Sequence, residues 1–380
     1  MLLFLFACNG SPDDTGPIDD DALSDCLSVW SDQLTEPDID GPDTQIHGTS
    51  AFDGGGVWVA WSRPNDASTF DIWLTRVGCD GTTDIAPIAV TDSADNELDP
   101  SIIVSGDRLL VAWSTSTSGG LGIRHRLYDL TGIPLTPTTD LAASRDGVAV
   151  TGNASSPRLA ALSDGFLLAG FWGHDDAPAF QAFSVELDLD GAIRGEATDG
   201  ELDADNGQTA VDVAVSGGGD VVLAWQEDST TSTAPIAYQA DAGESATLLG
   251  SPGARPAVAI ATSGTWSAWD TDDGTVWIRP PSGADFALDL DGFSHSARLA
   301  PRSDGVVALT MTVDDGLYNA LSLSSITADG TVSTIALDTL AAPAVYGVDV
   351  TMVGADHAVV VWQEGDSPAF RLRAQWVTLP

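Results

Sequence analysis

Lysine is absent from this 380-residue chain: all 14 basic residues are arginine, against 56 acidic ones, for a formal net charge of −42. A surface so negative repels phosphate backbones and anionic headgroups, which excludes nucleic acid and leaves a membrane reachable only through an added anchor. Without lysine there is no Gly-x-x-x-x-Gly-Lys phosphate cradle, and no Gly-x-Ser-x-Gly nucleophile elbow occurs either. The 5 histidines are scattered, with no His-x-His or His-Glu-x-x-His spacing to support zinc catalysis. No stretch sustains apolar residues at i, i+3, i+4 and i+7 over the length of a long helix. Only 3 cysteines are present, none in a clustered zinc-site spacing.

Aspartate dominates the acids, since only 8 are glutamate, and there are 39 glycines. Both residues suit tight turns, where φ is positive or a side chain bonds its own backbone. High acidity also fits a salty exterior, where screening weakens self-repulsion. Hydrophobic content of 43% and a mean hydropathy of +0.07 nevertheless describe a folded chain.

One phrase recurs, a Gly or Asp turn feeding an apolar run that ends in tryptophan. It stands at Gly54-Gly55-Gly56-Val57-Trp58-Val59-Ala60-Trp61, Asp107 to Trp113, Gly219 to Trp225 and Ala358 to Trp362. Weaker copies lie at Gly165 to Trp172 and at Val306 to Met311, the latter without tryptophan. Taking the phrase as a marker, seven units open near Ile46, Leu98, Ser155, Thr209, Arg255, Arg298 and Val345, averaging about 48 residues each. That length fits a four-stranded propeller blade. A strand covered on both faces reads as an unbroken Val/Leu run, as the marker does. The strands that follow, such as Ile123 to Tyr128 and Phe370 to Trp376, alternate and suit a place nearer the rim. Asp-Gly turns after them are hairpin signals. The expected fold is therefore all-β, a seven-bladed β-propeller over residues 26–380. Its last unit supplies only three strands, so the strand-like run Leu27–Leu34 is expected to complete it and close the ring.

The N-terminus, Met1-Leu2-Leu3-Phe4-Leu5-Phe6-Ala7-Cys8, resembles the end of a bacterial lipoprotein signal peptide through Leu5, Ala7 and Cys8. The resemblance implies acylation of Cys8, with residues 1–8 as the signal segment. Residues 9–25, polar and broken by Pro12 and Pro17, then form an acidic disordered tether. A frayed apolar end on a cytosolic protein is the competing reading. The repeats likewise resemble those of bacterial secreted and lipoprotein β-propellers whose apolar runs end in Ala-Trp, which implies architecture and export to the outer membrane or cell surface. Cys26 and Cys79 are then either a disulfide pinning the ring closure or two unpaired thiols.

For chemistry the yield is small. Asp270 to Trp277 partly resembles the Asp-box of sialidase-type propellers, through Asp272, Gly274 and Trp277, and reads as a turn rather than a site. Arg124 with Arg126, and Arg371 with Arg373, sit near the rim. Loops after the marker strands are acidic, Glu227 and Glu364 among them, and Asp175, Asp176, Asp270, Asp272, Asp273, Asp314 and Asp315 would crowd one face. Clustered carboxylates suit Ca²⁺, although any loop of so acidic a chain is acidic. No catalytic residue stands out. The expectation is a monomeric, non-enzymatic binding or scaffold lipoprotein for a protein or glycan ligand, touching a membrane only through its lipid. A secreted carbohydrate-active hydrolase or a passive coat protein are the alternatives.

Overall fold

The computed structural model describes residues 20–37, 45–65, 69–118, 120–145, 148–149, 154–173, 180–199, 207–228, 236–241, 246–250, 253–290, 293–314, 317–337, 345–366 and 369–380. Among them are seven four-stranded antiparallel sheets and a short hairpin, Ser144–Arg145 with Val148–Ala149, between the second and third sheets. The first strands are Ile46–Phe52, Asn96–Ser105, Ser155–Leu162, Gly207–Val215, Ala254–Ala261, Phe293–Arg302 and Val345–Val353. Each neighbours the first strand of the next sheet, and the last lies against the first. The sheets therefore form a closed ring around a central channel, a β-propeller.

The marker phrase forms the second strand of each sheet. Val57 to Trp61, Leu109 to Trp113 and Val359 to Trp362 are fully buried, because sister sheets cover both faces. First strands start on one face of the ring, here the upper, and run down to Gly- or Asp-rich turns. Second strands return upward, third strands descend, and fourth strands climb to the connection with the next sheet. The third-to-fourth turns on the lower face use much of the aspartate. The Oδ1 atoms of Asp80, Asp129 and Asp329 accept the amides of Thr82, Thr131 and Thr331 at 3.0, 2.9 and 3.0 Å, and Asp188 Oδ1 accepts that of Asp190 at 2.9 Å. Hydrogen bonds from Thr82 hold Asp80 below the usual carboxylate range.

The closing segment differs from the expectation. Residues Leu27 to Val29 are not strand but the end of a helix, Asp20–Val29, so a disordered tether cannot extend through residue 25. Leu23, Cys26 and Leu27 of the helix and Trp30 just past its end recur at i, i+3, i+4 and i+7, a helical period short enough to escape a search for long helices. They pack against Phe52 and Val57 of the first sheet and Val353 of the last. The Trp30 ring meets His357 edge-on, 4.8 Å between centroids. Only Gln33–Thr35 is extended. It pairs with Ala369–Thr378, Gln33 opposite Trp376 and Thr35 opposite Ala374, and supplies the outer strand of the last sheet. Cys8 and the rest of residues 1–19 lie outside the described residues.

Cys26 and Cys79 are joined by a disulfide with Cα atoms 5.2 Å apart. It ties the helix under the last sheet to the third-to-fourth turn of the first, so strand pairing, helix packing and a covalent bond close the ring at one seam. Replacing both cysteines by serine is expected to cost about 2–4 kcal/mol, read as a lower denaturant midpoint. Superimposable melts of native and substituted protein would show that the bridge contributes nothing to closure.

Candidate functional site: the mouth of the central channel

Every first strand carries the same irregularity near its upper end. The register with the second strand slips by one residue between Ile46 and Thr49, Leu98 and Ser101, Ser155 and Arg158, and Thr209 and Asp212. It does so again between Ala254 and Ala257, His295 and Arg298, and Tyr346 and Asp349. The residue opening the bulge is left-handed in six sheets: His47, Asp99, Ser156, Ala210, Arg255 and Gly347, with φ of 57, 51, 54, 49, 45 and 55°. Repetition around the ring makes this conformation architectural rather than a mark of catalysis. Its amides are held from the preceding sheet by the residue after the marker tryptophan. The His47 amide donates to Gln363 Oε1 at 3.2 Å, Ser156 to Ser114 Oγ at 2.8 Å and Arg255 to Gln226 Oε1 at 3.1 Å.

Immediately past each bulge comes one column of residues around the ring: Thr49, Ser101, Arg158, Asp212, Ala257, Arg298 and Asp349. All but Ala257 line a central cavity of about 310 Å³, and His47 and Asp99 line its upper end. Each arginine of the column is followed in the next sheet by an aspartate, Arg158 by Asp212 and Arg298 by Asp349. The aspartates also brace the ring. Asp212 Oδ2 accepts the Val258 amide at 3.0 Å, and Asp349 Oδ2 accepts the Ser50 amide at 2.7 Å and Thr49 Oγ1 at 3.2 Å. In both cases the amide bond runs to the next sheet, one residue beyond that sheet's column position.

Enclosure by protein and repulsion from Arg298 lower the Arg158 guanidinium to about 10, against the pull of Asp212, Asp99 and Asp349. It stays charged at neutral pH. Burial pushes Asp349 up, opposed by its bonds to Ser50 and by Arg298 and Arg158. Burial also pushes on Asp99, but there His47, whose Nδ1 lies 2.7 Å from Asp99 Oδ1, and Arg158 win and hold the carboxyl below its usual range. Two cations and three carboxylates thus face one cavity with little net charge between them.

The acids singled out from sequence fall elsewhere. Asp270 is not in a loop: it ends the strand Gly264–Asp270, is buried, and pairs with Arg255 Nη2 at 2.5 Å. Glu227 and Glu364 are likewise buried within second strands, and Glu364 Oε2 accepts Trp362 Nε1 at 2.9 Å. Asp272 is exposed in a turn. Asp273 Oδ1 accepts Thr271 Oγ1 at 2.6 Å in the same turn, the Asp-box-like stretch. Asp175, Asp176 and Asp315, and the side chain of Asp314, lie outside the described residues, among which no group of three or more His, Cys, Asp or Glu could hold a metal ion. The arginine pairs are consumed by the frame. Arg124 meets Asp95 and Asp140 at 2.8 Å each, Arg126 donates to the Val90 and Thr136 carbonyls, and Arg371 and Arg373 share Glu36.

No protein-family model matches the chain, and no curated protein does. Solved structures do. A Dyadobacter fermentans protein of unknown function aligns with TM-score 0.56 at 13% identity over 91% of this chain and 99% of its own. The polysaccharide lyase Uly1 aligns at 0.54 and 7% identity over 90% and 91%. A GH93 alpha-L-arabinofuranosidase of Fusarium graminearum, complexed with arabinobiose, aligns at 0.53 and 10% identity over 92% and 98%. The likeness is one of fold. For this propeller, any statement about a ligand rests on its own channel.

The Asp99 carboxylate gives that channel a measurable signature. Its lowered value means a contribution present above the ordinary 3.8 and lost as pH falls through the lowered value. Native protein is expected to out-stabilise Asp99→Asn by under about 1 kcal/mol, the pair being partly exposed, with the gap closing in acid. Thermal melts from neutral pH down to about pH 2.5 read this directly. A gap independent of pH would mean that the charge of Asp99 is not what matters.

Proposed function

We propose that the protein is an exported propeller that captures neutral carbohydrate at the mouth of its central channel. The observation that carries this reading is the column Arg158, Asp212, Arg298 and Asp349, with Asp99 and His47 above it, facing one cavity. Guanidinium groups only donate and ionised carboxylates only accept, so their interleaving matches a polyol, whose hydroxyls do both. A uronate or sulfated sugar is disfavoured. It would enter a mouth whose two cations are already balanced by three carboxylates, on a protein of net charge −42. The cavity, about 310 Å³, sits at the small end of ligand pockets, which run about 300–1,000 Å³, and fits the end of a chain better than its middle.

Capture is favoured over hydrolysis because the mouth carboxylates already have structural duties: Asp212 and Asp349 brace the next sheet, and Asp99 pairs with His47. One observation favours the second reading, a glycoside hydrolase. Asp349 is pushed up and Asp99 held down within one cavity, as in acid and base pairs that divide glycosidic chemistry. Export is supported by the disulfide, which persists in oxidising compartments, and by the lipoprotein-like end at Cys8, which would hold the protein at the outer membrane or cell surface.

Titration calorimetry with neutral arabino-, xylo- and gluco-oligosaccharides against matched oligouronates tests the reading. Neutral ligands are expected to bind, and Arg158→Gln or Arg298→Gln to weaken them about 10- to 150-fold, the worth of a hydrogen bond to a charged group. Preference for uronates, or indifference to both substitutions in folded protein, would overturn it. New reducing ends that vanish in Asp349→Asn would select the hydrolase.

A further inference from the structure

Below the charged column the cavity changes character. Ile103, Leu159, Leu299 and Met352 line it, each from a different first strand, and each is only half-buried although the surrounding sheets bury their apolar side chains almost completely. They lie one to three residues past the column, and at about 3.3 Å per strand residue the apolar wall extends roughly 10 Å beneath the arginines. Ala214 and Ala259, also lining the cavity, keep it open at that depth. Its lower end is apolar too. Gly354 lines the cavity, and a Cβ built there would come 3.6 Å from Leu23 of the N-terminal helix.

A channel meant only for a soluble oligosaccharide has no use for such a wall. Water against it finds few polar partners, and a ligand group that displaces poorly held water gains affinity. A hydroxyl-rich ring pushed down there would instead lose its hydrogen bonds. From the polar mouth above and the apolar wall below we infer that the channel takes an amphipathic glycoside, with its sugar among Arg158, Asp212, Arg298 and Asp349 and an apolar aglycone or alkyl tail directed downward. This rests on the carbohydrate reading and adds the half of the ligand that the charged column does not recognise.

The test is calorimetry on the whole chain with methyl, butyl, hexyl and octyl glycosides of one neutral sugar, each below its micelle concentration. A fully buried methylene is worth about a fourfold gain in affinity; with partial burial, tightening of at least about tenfold from methyl to hexyl is expected. The double variant Leu299→Gln, Met352→Gln should bind the methyl glycoside as the native protein does and lose the gain with chain length. A flat series while the methyl glycoside still binds, or an undiminished gain in the double variant, overturns the inference and leaves the carbohydrate reading standing. Alkyl trimethylammonium ions serve as the second arm. If they tighten as steeply, and Arg158→Gln leaves every member of the glycoside series unchanged, sugar recognition is wrong and the glycoside assignment falls with it.

Discussion

Val57 to Trp61, Leu109 to Trp113 and Val359 to Trp362 have no face that water reaches. A strand of this kind cannot sit in a sheet with one solvated side, so every sheet needs a neighbour on each flank, and a row of such sheets has no stable end. Closing the row is the solution the chain takes. The seam is consequently secured in three ways. Gln33–Thr35 pairs with Ala369–Thr378, Leu23 and Leu27 of the helix and the adjoining Trp30 pack against the first and last sheets, and Cys26 is bonded to Cys79.

The same closure builds the channel. The seven first strands neighbour one another around that channel, and each carries the one-residue bulge near its upper end. A left-handed non-glycine residue costs about 1–2 kcal/mol, and His47, Asp99, Ser156, Ala210 and Arg255 all adopt it. Amide partners such as Gln363, Ser114 and Gln226, each just after a marker tryptophan and each on the preceding sheet, help offset that cost. The marker phrase therefore acts twice, through its apolar run between sheets and through its next residue at the bulge of the neighbour. The residue beyond the bulge is then delivered to the cavity wall.

This explains why architecture was legible and the site was not. Apolar runs and Asp-Gly turns are local signals, and the unit openings read from them lie within a few residues of the observed first strands. The helix was missed because its period, Leu23, Cys26, Leu27, Trp30, lasts only two turns. Arg158, Asp212, Arg298 and Asp349 carry no motif and are 54, 86 and 51 residues apart in order; only the hairpin register aligns them. Thr49, Ser101, Arg158, Asp212 and Ala257 stand opposite Ala60, Ala112, Ala169, Ala224 and Ala268, most of them the alanine before a marker tryptophan. Counting back from that alanine through the bulge would have exposed the column. The acidic stretches looked more prominent because they are contiguous, yet Glu227, Asp270 and Glu364 lie inside second strands where they brace the frame.

Charge distribution then separates the outside of the molecule from its channel. Turn aspartates such as Asp80 and Asp129 are stabilised as anions by amides and hydroxyls of their own turns, so the surface keeps its negative charge without drawing on the cations. The 14 arginines are too few to neutralise that surface. Yet two of them, Arg158 and Arg298, are placed in the cavity, where Asp212, Asp99 and Asp349 oppose the desolvation of the Arg158 guanidinium. A polyanionic exterior around a near-neutral, donor-and-acceptor mouth filters what can enter by charge before any contact is made. On the glycoside reading proposed above, what passes is sorted a second time by depth, hydroxyls against the charged column and apolar groups against Leu159, Leu299 and Met352.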